Sequence, residues 1–226
     1  MAMRLHMVVE GQTEERFVKR VLAPELAAYD VFVDARSVMT SRDGPRWYRG
    51  GLLDYARPRA DLLNWMKQER AAKDVRFSTM FDLYALPPEF PGYAQAQRHS
   101  DPYAKVAALE RAFGADIPDT RFIPHIQLHE FEALLFAAPV CLAGQFMEQE
   151  RAIQPLIDLS VRANPEEIDD GAETAPSKRI IAAIPEYEGR KAFAGPIVAE
   201  SIGLATLCAR CRHFGEWVAR LRTLAQ

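Results

Sequence analysis

Four acidic residues fall where a parallel sheet would gather them. Glu10 closes the apolar run LHMVV, Asp82 closes VRFSTMF, and Glu130 and Glu132 follow RFIPHIQL in the segment HEFE. The apolar and β-branched content of those three runs predicts strands, so each carboxylate stands at or just past a strand's C-terminal end. In a parallel α/β sheet these ends share one edge, and ligands bind there. Carboxylates brought together without compensation repel one another. A divalent cation offsets that repulsion, and Mg²⁺ (or Mn²⁺) favours carboxylate oxygens with retained waters. The plainer reading is that each acid ends a strand or suits the positive end of a helix.

Other reactive-looking groups point less far. The stretch PHIQLHEFE carries His125 and His129, but a zinc-protease helix needs H-E-x-x-H and residue 133 is alanine. His129 stands close enough in sequence to Glu130 and Glu132 to orient one, and a structural hydrogen bond is the simpler role for either histidine. Cys208, Cys211 and His213 form C-x-x-C plus histidine, yet structural zinc needs four ligands and Cys141 is the only other thiol. Core packing is the reading for that pair. In TSRDGPRWYRGG, Arg42, Arg46 and Arg49 beside Trp47 could grip a nucleic-acid backbone and stack a base. The alternative is a solvated loop with one anchored aromatic. Glu166, Glu167, Asp169 and Asp170 read as a solvated loop after the Asn164–Pro165 breaker. Phosphate-binding glycine loops and a G-x-S-x-G elbow are missing from the sequence.

The elements that must position the acids alternate. A strand over Leu5–Val9 precedes a helix through Phe17, Val18, Val21, Leu22 and Leu26, with Thr13 as N-cap and Pro24 as an interruption. A second strand is expected at 31–38, a helix at about 59–73, a third strand at 75–83 and a helix at about 102–114. A fourth strand lies in RFIPHIQL, and HEFEALLFAA reads as helix. This order predicts an α/β fold with a mainly parallel sheet and flanking helices. From about residue 145 the signals are helical only, so the expected division is an α/β core over 1–140 and a helical region over 141–226 packed as one unit.

The chain has 226 residues, 49% of them hydrophobic and 26% charged, with a formal net charge of −3. That balance argues against a large DNA-coating surface. It leaves room for an acidic site whose bound cation supplies the positive charge. Three cysteines make no disulfide framework, so a cytoplasmic setting is expected. No apolar run reaches the roughly 18 residues of a membrane helix, and the first residues lack the pattern of a secretory signal.

Several segments together, VEGQTEERFV, TMFDLYALP, IPHIQLHEFEALLF, NPEEIDDGAETAPSKRI and YEGRKAFAGPIVAESIGL, resemble the domain-of-unknown-function family numbered 4276. That family looks like a branch of the Toprim fold, a Rossmann-like architecture shared by topoisomerases, primases and overcoming-lysogenization-defect (OLD) nucleases. The resemblance implies a Mg²⁺- or Mn²⁺-dependent nuclease in which Glu10 matches the glutamate after the first strand and Asp82 the first aspartate of a D-x-D motif. The second position is Tyr84, which departs from the motif, and Glu130 or Glu132 is the expected replacement. A lysine assisting at the phosphate would be Lys178 or Lys191. The resemblance also implies a nucleic-acid substrate and an ABC-type or AAA-type ATPase partner in bacterial defence against phage, and it leaves room for a homodimer. The competing expectation is a catalytically silent Toprim-like module that binds or regulates an ATPase.

Overall fold

The computed structural model describes residues 1–43, 46–49, 52–168 and 174–226, with the backbone alone for 39–43 and 46–49. Strand β1 (Met3–Val9) leads to α1 (Gln12–Phe17), a π-helical turn at Val18–Leu22 and α2 (Ala23–Ala27). Pro24 follows directly on the π-helical turn, whose wider bonding (the Ala23 N–H donates to the Val18 carbonyl) lets the helix run on past the missing proline N–H. Then follow β2 (Val31–Ser37), β3 (Met39–Asp43), β4 (Arg46–Arg49), α3 (Ala56–Gln68), β5 (Val75–Asp82), α4 (Tyr93–Ala96) and α5 (Pro102–Asp116). Two short strands, β6 (Phe122–Ile123) and β7 (Ile126–Gln127), precede α6 (Glu150–Arg162), α7 (Pro176–Ala183), α8 (Lys191–Ile202), α9 (Leu204–Arg210) and α10 (Arg212–Arg222).

The main sheet is parallel, ordered β2-β1-β5-β6, with β7 also pairing β5. Strand β1 therefore has its sequence successor on one side and β5 on the other. The strand order reverses between β1 and β5, and that reversal opens a crevice at their C-terminal ends. Alternation along β1 divides two cores. Leu5, Met7 and Val9 face a cluster shared with α1 and the C-terminal helices, where Val198, Phe214 and Leu221 are buried. Val8 faces a second cluster with α3 and α5, built on Leu62, Trp65, Phe77 and Phe113. Burial on both faces explains why β1 and β5 read as apolar runs, whereas edge strand β2 alternates because one of its faces is exposed.

Local departures from the sequence expectations have local causes. The fourth strand is two pieces because Pro124 lacks the donor that a continuous ladder needs. Buried hydroxyls on β5 take up the backbone groups left over: Ser78 Oγ donates to the Ile123 carbonyl, and Thr79 Oγ1 donates to the His125 carbonyl and accepts its N–H. HEFEALLFAA forms a 3-10 helix over Phe131–Ala137 rather than an α-helix, with Phe131, Leu134, Leu135 and Phe136 all buried. The segment expected as an Arg-rich loop contains the antiparallel pair β3–β4, with Arg42 opposite Trp47. The first helix is capped by Gly11 rather than Thr13. Among the described residues no single helix is long and apolar enough to cross a membrane.

Candidate metal centre

The Glu10 and Asp82 carboxylates stand at the ends of the two strands that flank the reversal. Glu10 Oε2 accepts the Asp82 N–H at 3.1 Å, and the Glu10 N–H donates to the Met80 carbonyl at 3.1 Å. Each strand end thus fixes the other. Glu14, in the first turn of α1, turns back so that its Oε2 accepts the Gly11 N–H at 2.8 Å. That contact closes the turn between β1 and α1 and leaves the Glu14 carboxylate buried beside Glu10.

The third group of acids arrives through an unusual turn. His129 holds a left-handed backbone (φ 64°), which few non-glycine residues adopt. It is kept there by the Tyr84 hydroxyl at its Nδ1 and by the Glu166 carbonyl, 2.9 Å from its Nε2. Directly after this turn, Glu130 Oε1 accepts the Ser177 N–H at the start of α7. Glu132 Oε1 accepts the Tyr187 hydroxyl at 3.2 Å and lies 3.9 Å from Lys191 Nζ. Gly195 permits this close approach of α8, since a Cβ there would lie 2.9 Å from Phe131 and 3.1 Å from the Tyr187 hydroxyl.

Glu10, Glu14, Asp82, Glu130, Glu132 and Lys191 line one cavity of about 410 Å³. Five carboxylates thus face one ammonium. Burial, then the charge of Glu14 and those of Glu132 and Glu130, pushes Glu10 up to about 8 despite the Asp82 N–H. Burial and the charges of the four glutamates hold Asp82 well above the usual carboxylate range. Burial and Glu130 raise Glu132 to about 7, with Lys191 opposing. Burial raises Glu14 against the pull of its hydrogen bonds. Asp82 Oδ1 is buried and has no hydrogen-bond partner among the described residues. A buried acceptor without a donor is costly, and a cation is the kind of partner that removes the cost. The oxygen-only donor set and the orphaned Asp82 oxygen both fit a hard divalent ion.

The model of the family described as "Domain of unknown function (DUF4276)" matches residues 9–222. The chain belongs to the DUF4276 family. No curated protein sequence matches it. Among solved structures, the C-terminal region of the Xanthomonas campestris pv. campestris OLD protein is similar at 15% sequence identity. The structure phased with platinum gives a TM-score of 0.41 over 96% of this chain and 95% of that one. The structure phased with mercury gives 0.38 over 96% and 97%.

Of the residues singled out by sequence in this DUF4276 chain, Glu10, Asp82, Glu130, Glu132 and Lys191 line the cavity. Lys178 is exposed on α7, next to Ser177, and does not line it. The side chains of Arg42, Arg46, Trp47 and Arg49 lie outside the described residues. Glu14 was hidden in the sequence because an acidic first turn is what any helix favours. Glu166 corrects the solvated-loop reading: it is fully buried and accepts the N–H groups of His213 and Phe214 at 2.9 and 3.0 Å and the Tyr103 hydroxyl at 3.1 Å. It caps α10 from a distant segment. Asp169 and Asp170 lie outside the described residues. Apart from the acidic cavity, Glu110, His125 and His213 each offer a ligand atom within 4.8 Å of the others, close enough to hold a metal ion.

Proposed function

We propose that this DUF4276 chain is a Toprim-like, Mg²⁺- or Mn²⁺-dependent nuclease that hydrolyses phosphodiester bonds of DNA or RNA. The observation that carries this reading is the five-carboxylate cavity at the strand-order reversal, with the buried Asp82 Oδ1 left without a donor. Glu10 and Asp82 would hold the ion, and Glu132 or Glu130 would complete the set. When bound, such an ion polarises a phosphoryl oxygen and lowers the pKa of a water.

The chain's own groups do the rest. Lys191, the one ammonium at the cavity among the described residues, offsets negative charge gathering on the phosphate. Tyr187 fixes the Glu132 carboxylate by its hydroxyl, and the Asp82 N–H fixes that of Glu10. Tyr84, at the second D-x-D position, makes its hydroxyl contact with His129 and so supports the turn that delivers Glu130 and Glu132. On this reading Glu14 and Glu132 supply the charge that the motif's missing aspartate would have given.

The family resemblance supports an ABC-type or AAA-type ATPase partner in phage defence. The Tyr84 substitution also favours a second reading, a catalytically silent module that binds or regulates such an ATPase. Incubation with single- and double-stranded DNA and RNA separates the two. The nuclease reading requires cleavage with Mg²⁺ or Mn²⁺ that vanishes in Glu10→Gln and Asp82→Asn. Intact substrates, together with unchanged phage protection by both variants in cells, would leave the silent module standing. Turnover of free nucleotides without cleavage of polymers would point instead to a small-molecule phosphohydrolase.

A further inference from the structure

The break in the fourth strand leaves His125 between β6 and β7, against α10 on one side and α5 on the other. A cavity of about 170 Å³ opens there, lined by Glu110, His125, His213, Glu216, Trp217 and Arg220 among others. None of these residues lines the acidic cavity. Glu110 Oε1 lies 3.0 Å from His213 Nε2 and 3.6 Å from His125 Nδ1. Ligands bonded tetrahedrally at about 2.0–2.1 Å stand about 3.3 Å from one another, so these two separations, the first of them a hydrogen bond in the metal-free chain, are of the size a shared ion needs.

The surroundings fix the ligands before any ion arrives. His125 is buried, stacked on Trp217 at 4.0 Å between ring centres and beside His213 at 4.9 Å with only 16° between the two planes. Glu110 Oε1 also accepts the Ile126 N–H at 2.9 Å, and the Glu166 carboxylate pins the His213 N–H. A second observation is independent of these distances. His213 Nδ1 is buried without a hydrogen-bond partner among the described residues, and the His125 ring has the Gln127 side chain as its polar neighbour. An ion at His125 Nδ1 would leave the proton on Nε2, free to be given to the Gln127 side chain. Metal-bound histidines characteristically give their other N–H to such an acceptor.

We propose that Glu110, His125 and His213 form a transition-metal site of the zinc class, separate from the acidic cavity, that fastens α10 to α5 and the broken strand. Two imidazoles and one carboxylate select zinc-like ions over Mg²⁺, which takes oxygen ligands. The cavity of about 170 Å³ has room for a water that would serve as fourth ligand.

The test uses the full chain, stripped with a chelator and titrated with CoCl₂. The expected result is one equivalent of cobalt with the visible absorption of four-coordinate geometry, displaced by ZnCl₂ and untouched by MgCl₂. Glu110→Gln and His213→Gln should each weaken binding at least tenfold, while a Glu10→Gln/Asp82→Asn double variant retains it. If His213→Gln does not fold by circular dichroism, Glu110→Gln decides. The proposal is overturned if the wild-type chain shows no such absorption, if Glu110→Gln keeps it at full affinity, or if it disappears with the acidic-cavity double variant. Failure here leaves the nuclease reading intact, because that rests on other residues.

Discussion

The Glu10 carboxylate accepts the backbone N–H of Asp82 across 72 residues of sequence, at 3.1 Å. This contact joins the ends of adjacent parallel strands at the point where the sheet changes direction. It holds two acids together that solvation alone would keep apart, and three further glutamates crowd the same cavity. The arrangement is stressed without a cation, and the consequences of that stress are measurable.

Neutralising one acid relieves the repulsion. Asp82→Asn is expected to raise the melting temperature of the metal-free chain, where each kcal/mol corresponds to about 2–4 °C at this size. The same variant should lower phosphodiester cleavage by ~10²-fold or more, the scale of losing one electrostatic stabiliser. Scanning calorimetry and a cleavage assay on the same preparation check the opposed directions.

Stability should also depend on pH in a definite sense. Glu10 and Glu132 rise from 4.5 to about 8 and about 7 in the folded chain. Between about 4.5 and 8 the folded state therefore binds more protons than the unfolded state, and stability falls as pH rises. Metal-free melting temperatures taken from pH 5 to 8 should decline, and saturating Mg²⁺ should flatten or reverse the decline. A Glu10→Gln chain should show a shallower slope.

The two lysines separate by position. Lys191 lies 3.9 Å from Glu132 at the cavity, whereas Lys178 is exposed away from it. Lys191→Met should reduce the cleavage rate by ~10- to 100-fold, somewhat below the loss of a full oxyanion donor. Lys178→Met should leave the rate within about twofold of the wild type, as expected of an exposed side chain outside the site. Steady-state rates on one substrate check both.

Glu166 tests the fold rather than the chemistry. Its carboxylate receives two backbone N–H groups of α10 and the Tyr103 hydroxyl. Glu166→Ala strands these donors in a buried place and should cost roughly 2–4 kcal/mol in urea unfolding. Glu166→Gln keeps a carbonyl acceptor and should cost about half as much.

What the sequence revealed and what it hid follow from range. Strands β1 and β5 were legible because both faces of the sheet are buried, so their apolar runs are uninterrupted and the acids that end them stand out. The gathering of Glu10 and Asp82 followed from parallel topology, whereas Glu130 and Glu132 reach the cavity through the left-handed turn at His129. Glu14 stayed hidden because an acidic helix start has an ordinary local explanation. Glu166 looked solvated because its partners, Tyr103, His213 and Phe214, are distant in sequence. His125 read as a structural hydrogen-bonding histidine for the same reason, since Glu110 and His213 reach it only through the packing of α5 and α10. The segment after β7 read simply as helix, and sequence periodicity does not distinguish the 3-10 geometry that Phe131–Ala137 takes.

The central claim is that the acids at the reversal of strand order hold a divalent cation, and Mn²⁺ binding followed by electron paramagnetic resonance tests it most directly. Titrated at pH 7.5, the chelator-treated full chain should remove free Mn²⁺ signal with saturable stoichiometry. Mg²⁺ should compete for the same sites, and Glu10→Gln and Asp82→Asn should each lose most of the binding. A wild-type chain that leaves the Mn²⁺ signal unchanged, or an Asp82→Asn chain that binds as tightly as wild type, would contradict it.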